Sequence, residues 1–398
     1  MMSAIVAAWN RFFFAEQSPL PLALFRIAYG LVVICTLVLL KPDWLTWYGT
    51  HAWVSLNTMR ELEPGVRLNL FTVIPQDDRW IIALFWVFLA SSVMLTVGFL
   101  SRINSVTVYL CLASIQQRNL YITHGGDTFL RVAGFFLIFA PAGAALSVDR
   151  LIRVWRGREQ VAVQARRLWA QRMIQMELSL VYVVTVCWKL KGGPWIDGSA
   201  LFYVYHLFEF ERFPIPSWFL HPVILKMGTW LALVLEFSLG TLIWVKSLRY
   251  KILTVGLLFH FGLEYSLNIP MFQWDVLCAY ILFVDAKDLE RVWNWIRVRA
   301  GAYLSPAVTV FYDKHSERSR RFVNLLTVLD IFHRLSFVEA HRTESAAERQ
   351  NNKRELLIVT ASRPWHGRDA MKLLARSIPL LWPLLPFCYV WNAVQSSK

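Results

Sequence analysis

The sequence predicts an all-α polytopic membrane bundle of about eight transmembrane helices, followed by a small C-terminal α/β domain. Three observations predict it. Separate apolar stretches fill the chain up to residue 286 of 398, and about 20 apolar residues suffice to cross a bilayer's hydrocarbon core as a helix. Charged residues make up only 17% of the chain and hydrophobic ones 56%, against about 25% charged in soluble domains. The short basic segments between the stretches fall on one side of the alternation, as cytoplasmic loops do.

Residues 1–18 carry Arg11 and Glu16 among Trp9, Phe12, Phe13 and Phe14. That mixture reads as an interfacial helix rather than the apolar core of a cleavable signal. The predicted spans are 19–40, 79–100, 102–118, 128–147, 169–189, 225–246, 250–267 and 271–286. The third and eighth are short, and the fifth begins amphipathic. Residues 150–172 hold Arg150, Arg153, Arg156, Arg158, Arg166, Arg167 and Arg172. Lys246, Arg249 and Lys251 link spans six and seven, and Lys287, Arg291, Arg297 and Arg299 follow span eight. An even count with the N-terminus inside puts all three basic groups on the cytoplasmic side, together with both termini. Seven spans would break the rule. Loops 41–78, 119–127 and 190–224 then face outside.

After residue 300 the pattern changes. Val308–Tyr312 reads as a buried strand, 317–333 as a helix, 335–339 and 355–360 as strands, and 367–382 as a closing helix. That order suggests a small α/β module. Residues 341–354 are polar and read as a loop. No internal repeat is evident.

The net charge of +14 would suggest nucleic acid in a soluble protein. Here the basic residues flank spans and fill the C-terminal region, facing anionic lipid, and no nucleic-acid recognition motif accompanies them. The expected partner is the lipid bilayer, not nucleic acid. The five cysteines, Cys35, Cys111, Cys187, Cys278 and Cys388, lie in apolar surroundings without metal-ligand spacing, and read as small buried hydrophobes. No metal site is expected.

Charges at membrane depth are costly and each is a functional candidate. Arg26, Glu177, Glu236, His260, Glu264 and Asp275 are such groups. The plain reading is mutual pairing, Arg26 with one of the acids. His260 and Glu264 stand one helical turn apart on one face. His260 reads equally as a neutral hydrogen-bonded strut or as a proton carrier.

Two external loops are richer. In Tyr121-Ile122-Thr123-His124-Gly125-Gly126-Asp127-Thr128 the glycines allow a tight turn, Asp127 or Thr128 can cap the next helix, and His124 is left near the outer face. The second loop is Trp188-Lys189-Leu190-Lys191-Gly192-Gly193-Pro194-Trp195-Ile196-Asp197-Gly198. Lys189 and Lys191 either snorkel to headgroups or, folded back over the bundle mouth against apolar walls, lose a proton more easily and act as a base.

These segments resemble the HTTM domain, the transmembrane domain shared with vitamin K-dependent gamma-glutamyl carboxylases. Leu24-Phe25-Arg26-Ile27-Ala28-Tyr29-Gly30 resembles the family's opening helix. The His124-Gly125-Gly126-Asp127 turn, with the segment from Pro141 to Asp149, resembles its third and fourth spans. Lys189 to Gly198 resembles its lysine loop, typically K-L-x-x-x-x-W-x-D/E-G. His260, followed by Asn268 to Trp274, resembles its seventh and eighth spans. The domain would cover residues 19–295. The resemblance implies a reduced, vitamin K-like quinone as cofactor and a bacterial inner-membrane location. It implies Lys189 as the base, with Lys191 a near alternative, and His124 and His260 assisting. Trp188, Trp195 and Asp127 would hold the cofactor. The long lumenal domain of the animal enzymes has no counterpart, since about 35 residues separate spans five and six. Glutamate carboxylation of a protein is therefore not expected, and a non-enzymatic maturation, immunity or assembly factor on the same scaffold is the alternative. A transporter would need paired broken helices, which are not evident.

Residues 305–398 resemble the DCC family of thioredoxin-like thiol–disulfide oxidoreductases. That family opens with a strand ending in Y-D-G-x-C-P-x-C. Here the stretch runs Tyr312-Asp313-Lys314-His315-Ser316-Glu317-Arg318-Ser319, with serines where cysteines are expected. The stretches from His366 to Leu374 and from Ile378 to Leu384 also match. A serine hydroxyl cannot exchange disulfides, so the resemblance implies a redox-inactive cytoplasmic tail kept for binding a protein partner or for stabilising the bundle.

Overall fold

A computed structural model describes residues 2–62, 65, 68–301, 308–339, 357–359, 364–365 and 367–384. The chain forms two compact units, Met1–Asp149 with Gln164–Ala286, and Arg150–Val163 with Lys287–Lys398.

The first unit is helical. Its main helices are α1 (Met2–Phe14), α2 (Leu20–Leu40), α3 (Asp78–Val97), α4 (Ser101–Arg118), α5 (Gly125–Phe139), α6 (Trp169–Lys189), α7 (Pro222–Thr241), α8 (Lys246–Ser266) and α9 (Phe272–Leu277). Three helical stretches, Leu20–Tyr48, Asp78–Val97 and Pro222–Trp244, are long and apolar enough to cross a membrane. Their outer faces carry exposed apolar side chains, among them Leu39, Val87, Val93, Val234 and Phe237, as suits a lipid-facing surface. The helix ends follow local chemistry. Pro21 opens α2, where its missing N–H costs no bond. Asp77 caps α3 by accepting from the Arg79 amide at 2.8 Å. Gly98 ends α3 with φ +72°, a left-handed conformation that favours glycine. Two short strands, β1 (Glu16–Gln17) and β2 (Arg166–Arg167), pair antiparallel ahead of α6.

Three expectations need correction here. The helix predicted over 128–147 starts at Gly125 and ends at Phe139, because Pro141 supplies no amide to continue it. The span predicted over 271–286 is a short α-helix followed by a 3-10 helix, Cys278–Phe283. Arg26 bonds to carbonyls rather than to an acid. It donates to Ala142 O at 2.6 Å, Leu146 O at 2.5 Å, and Ala145 O and Thr96 O at 3.3 Å. The shortened α5 leaves Ala142, Ala145 and Leu146 beyond its end, Thr96 lies in the last turn of α3, and the guanidinium fork can serve several carbonyls at once. Asp149 instead accepts from the Leu100 and Ser101 amides, each at 2.8 Å.

Helices α6 and α7 approach at backbone distance. A Cβ at Gly240 would lie 2.6 Å from Val183 Cγ2 and 2.9 Å from Ser179 O, the close packing that small residues permit. The pair is antiparallel: Lys189 lies six residues on from Val183 along α6 and Glu236 four residues back from Gly240 along α7, an axial offset of about 3 Å that the long lysine side chain spans. That register brings Lys189 to Glu236.

The second unit holds a four-stranded sheet of β3 (Val308–Tyr312), β4 (Leu335–Glu339), β5 (Leu357–Val359) and β6 (Pro364–Trp365), in the order β4-β3-β5-β6. β3 and β4 are parallel, joined through the helix Glu317–Leu329, which the sequence extended to residue 333. β5 is antiparallel to both β3 and β6. The predicted closing helix spans Gly367–Ser377 and passes into a 3-10 helix, Pro379–Leu384. Val308, Val310, Leu326, Leu335, Leu374 and Ile378 form the core. The polar loop 341–354, Cys388, and residues 355, 356 and 360 of the third predicted strand lie outside the described residues.

Candidate functional site

A cavity of about 950 Å³ opens in the first unit between α6, α7 and α8, with Phe272 and Val276 from α9 also in its lining. Along α8 the lining runs from Lys251 to Ser266. At 1.5 Å per residue that is a slot roughly 22 Å long. The walls are apolar, and Leu231, Val234 and Val255 are each more than half exposed. Their exposure marks the open side of the slot, between α7 and α8.

Polar chemistry gathers at one place in this apolar slot. Lys189 ends α6, and its Nζ donates to both carboxylate oxygens of Glu236, at 2.5 and 2.7 Å. The ammonium also lies 4.4 Å from the centre of the Trp195 ring. Trp195 is brought there by the turn at Gly192–Gly193–Pro194, which opens a short helix, Gly193–Asp197. A second polar chain runs through the cavity wall. His260 Nδ1 faces Gln273 Oε1 at 2.5 Å, and its Nε2 faces the Tyr182 hydroxyl at 2.7 Å. The Tyr182 oxygen is in turn 2.7 Å from that of Tyr280. Gln273 Oε1 only accepts, so Nδ1 carries the imidazole proton. In the neutral imidazole Nε2 accepts from Tyr182, and Tyr182 accepts from Tyr280. A row of two hydrogen-bonded hydroxyls thus stands behind His260. Lys189, Glu236, Tyr182 and His260 all line the slot.

The other expected site residues lie elsewhere. Lys191 stacks over the Trp188 ring at 4.0 Å, and Trp188 is exposed. Neither lines the slot, whereas Lys189 does. His124 is not in the slot either, and the shared chamber expected for Lys189 and His124 is not what the fold builds. His124 caps α5: its Nδ1 accepts from the Asp127 amide at 3.3 Å, and Asp127 Oδ2 accepts from the His124 amide at 2.9 Å. The cap is therefore His124, with Asp127 completing a reciprocal pair. Phe272 separates the two places, lining the slot and meeting the His124 ring edge-on at 5.4 Å. Glu264, one turn from His260, turns to Arg212.

Tyr182, Gln273 and Tyr280 were not legible as site residues. A tyrosine in an apolar run looks like an interfacial anchor, and its partners lie 78 and 98 residues away. Glu236 stood out as a charge at depth, and only the α6–α7 register shows its partner.

The HTTM domain family model matches residues 14–287, which includes every residue of the slot. The chain belongs to the HTTM domain family. It is also 22% identical over 215 residues to Sporulation-delaying protein SdpB of Bacillus subtilis (strain 168), covering 51% of this chain and 64% of that protein. The chain thus spans a little under two thirds of the length of that relative. No solved structure matches it. The HTTM match ends just before the sheet of the second unit begins, so the slot and its polar cluster belong to the HTTM domain alone.

Proposed function

We propose that this HTTM protein binds a long-tailed, lipid-soluble ligand, of the chemical class of a reduced quinone, in the slot between α6, α7 and α8. Lys189 is its acid–base group. One observation carries the reading: an apolar slot roughly 22 Å long by helix rise holds an ammonium–carboxylate pair and a hydrogen-bonded histidine. A flexible isoprenoid tail suits the walls, and a hydroxylated head group suits the polar cluster. A bound reduced quinone would supply phenolic hydroxyls as proton donors. In the resting pair Lys189 is an ammonium and cannot accept a proton. Transfer of one proton from Nζ to Glu236 leaves a free amine beside the head group, and Nζ then accepts a hydroxyl proton. Trp195 shields the ammonium face from water, and the Tyr182 oxygen, its own proton directed at His260, can accept a hydrogen bond from a ligand hydroxyl. His260 takes the assisting place that the sequence shared with His124.

The membrane arrangement is part of this proposal. α2 to α8, and α9 with its 3-10 continuation, supply one helical element for each of eight predicted spans. With both termini cytoplasmic, the basic links fall inside and the Lys189 loop outside. A bacterial inner membrane is the matching location. In the second unit, the strand order and directions support a thioredoxin-like reading and so a DCC-derived tail. Ser316 caps the helix Glu317–Leu329, and with serine at 316 and 319 the tail serves a protein partner rather than redox exchange.

A second reading is a non-enzymatic maturation, immunity or assembly factor. The engagement of Lys189 by Glu236 favours it. Organic extraction of protein purified in mild detergent tests the first reading. Mass spectrometry is expected to find about one quinone per chain. Extracts holding only bulk phospholipid, with no binding of added menaquinol, would leave the second reading standing.

A further inference from the structure

Asp275 of α9 is 1% exposed, and neither of its carboxylate oxygens has a hydrogen-bond partner. A buried carboxylate without partners is costly, and something must offset that cost. Its surroundings say what. The ligand atoms of His124, Asp127 and Asp275 all lie within 4.8 Å of one another, with His124 Nδ1 3.4 Å from Asp127 Oδ2. His124 Nε2 sits 3.0 Å from Pro270 O. A carbonyl only accepts, so Nε2 carries the proton and Nδ1 carries the lone pair, which meets the Asp127 amide at 3.3 Å and would leave that cap bond to ligate an ion. A metal-binding histidine is held in this way, its far N–H fixed on a backbone carbonyl. Gly126 completes the space, since a Cβ there would lie 2.7 Å from Asp275 Oδ2.

We propose that His124, Asp127 and Asp275 form a divalent-cation site, outside the slot and additional to its chemistry. One imidazole nitrogen and two carboxylates suit a borderline transition ion such as Zn²⁺ or Mn²⁺ better than Mg²⁺ or Ca²⁺, which favour all-oxygen shells. The site lies at the α5 N-terminus, whose partial positive charge opposes a cation. Two carboxylates outweigh that half charge. Asp275 takes no amide bond from the helix, so it is not merely an anion docked on the helix end. The ion would tie the start of α5 to α9, whose Phe272 and Val276 line the slot, and so set the position of that wall.

The test uses the full-length protein in detergent. It is stripped with chelator, dialysed against Zn²⁺ or Mn²⁺, freed of excess ion and assayed for metal by mass spectrometry. Wild type is expected to hold about one ion per chain, and Asp275→Asn and His124→Ser at least about ten-fold less. Serine keeps the helix cap while removing the imidazole. Mn²⁺-loaded wild type is expected to show nitrogen coupling in pulsed electron paramagnetic resonance, a readout that needs no folded variant. No ion in stripped, monodisperse wild type, equal ion content in both variants, or no nitrogen coupling would overturn the site. If Asp275 is simply a protonated carboxyl, Asp275→Asn leaves the metal content of wild type and variant equally at zero. None of these outcomes bears on quinone content, so this site and the slot reading fail separately.

Discussion

Lys189→Met combined with Glu236→Gln is expected to leave a folded protein that retains no quinone, whereas either change alone also loosens the bundle. The reason is the geometry of the pair. Glu236 is 9% exposed and Lys189 21%, so removing one partner strands the other charge in an apolar wall. Breaking a fully buried pair costs about 3–5 kcal/mol. The fifth of Lys189 that meets solvent lowers this to about 2–4 kcal/mol. Removing both charges leaves nothing stranded, and apolar or amide groups of similar shape are tolerated in their place. Thermal unfolding separates the cases: the single variants melt earlier, and the double variant melts near wild type. Quinone content then reports the slot alone. Full quinone in the folded double variant would show that the pair only braces α6 against α7.

The second large effect is expected at Arg26→Met. Its guanidinium serves carbonyls of Thr96, Ala142, Ala145 and Leu146. Methionine fills the volume but donates nothing. Each neutral buried group left unpaired costs about 1–3 kcal/mol, so the loss is about 4 kcal/mol or more even with partial relaxation. Arg26→Lys rescues little, because an ammonium cannot spread over four carbonyls set around a planar fork. Gly98 leaves no room for a shift, since a Cβ there would stand 2.7 Å from Arg26 Nη1. Expression in membranes and the detergent melting temperature check this. Wild-type-like melting of Arg26→Met would contradict it.

The sequence announced some of this and concealed the rest for identifiable reasons. Apolar runs marked α2, α3, α6, α7 and α8 to within a few residues, because long apolar runs without helix breakers favour helices. The lysine loop was legible because Gly-Gly-Pro-Trp can only fold back on itself, and it does place Trp195 over Lys189. Arg26 was marked as costly, but its partners are carbonyls, and a carbonyl has no letter in a sequence. His124 looked like a companion of Lys189 because both sit in rich loops. Phe272 separates them, and the packing of α9 that puts it there follows from long-range contacts. The hydroxyl row behind His260 joins α6, α8 and the segment 273–280, three places whose meeting no local pattern encodes. Asp275 was visible as a charge at depth, and its meeting with His124 and Asp127 was not.

The central claim is that the slot between α6, α7 and α8 is where a lipid-soluble ligand sits, with its polar end at Lys189. Photo-crosslinking with a quinone carrying a photoreactive ring substituent, followed by peptide mapping, addresses it directly. The account predicts labels on Val181–Lys189 and Phe259–Ser266, competed away by unlabelled quinol and absent from the Lys189→Met, Glu236→Gln variant. Labels confined to the outer faces of α2 and α3, or labelling indifferent to competitor and to the double variant, would contradict it.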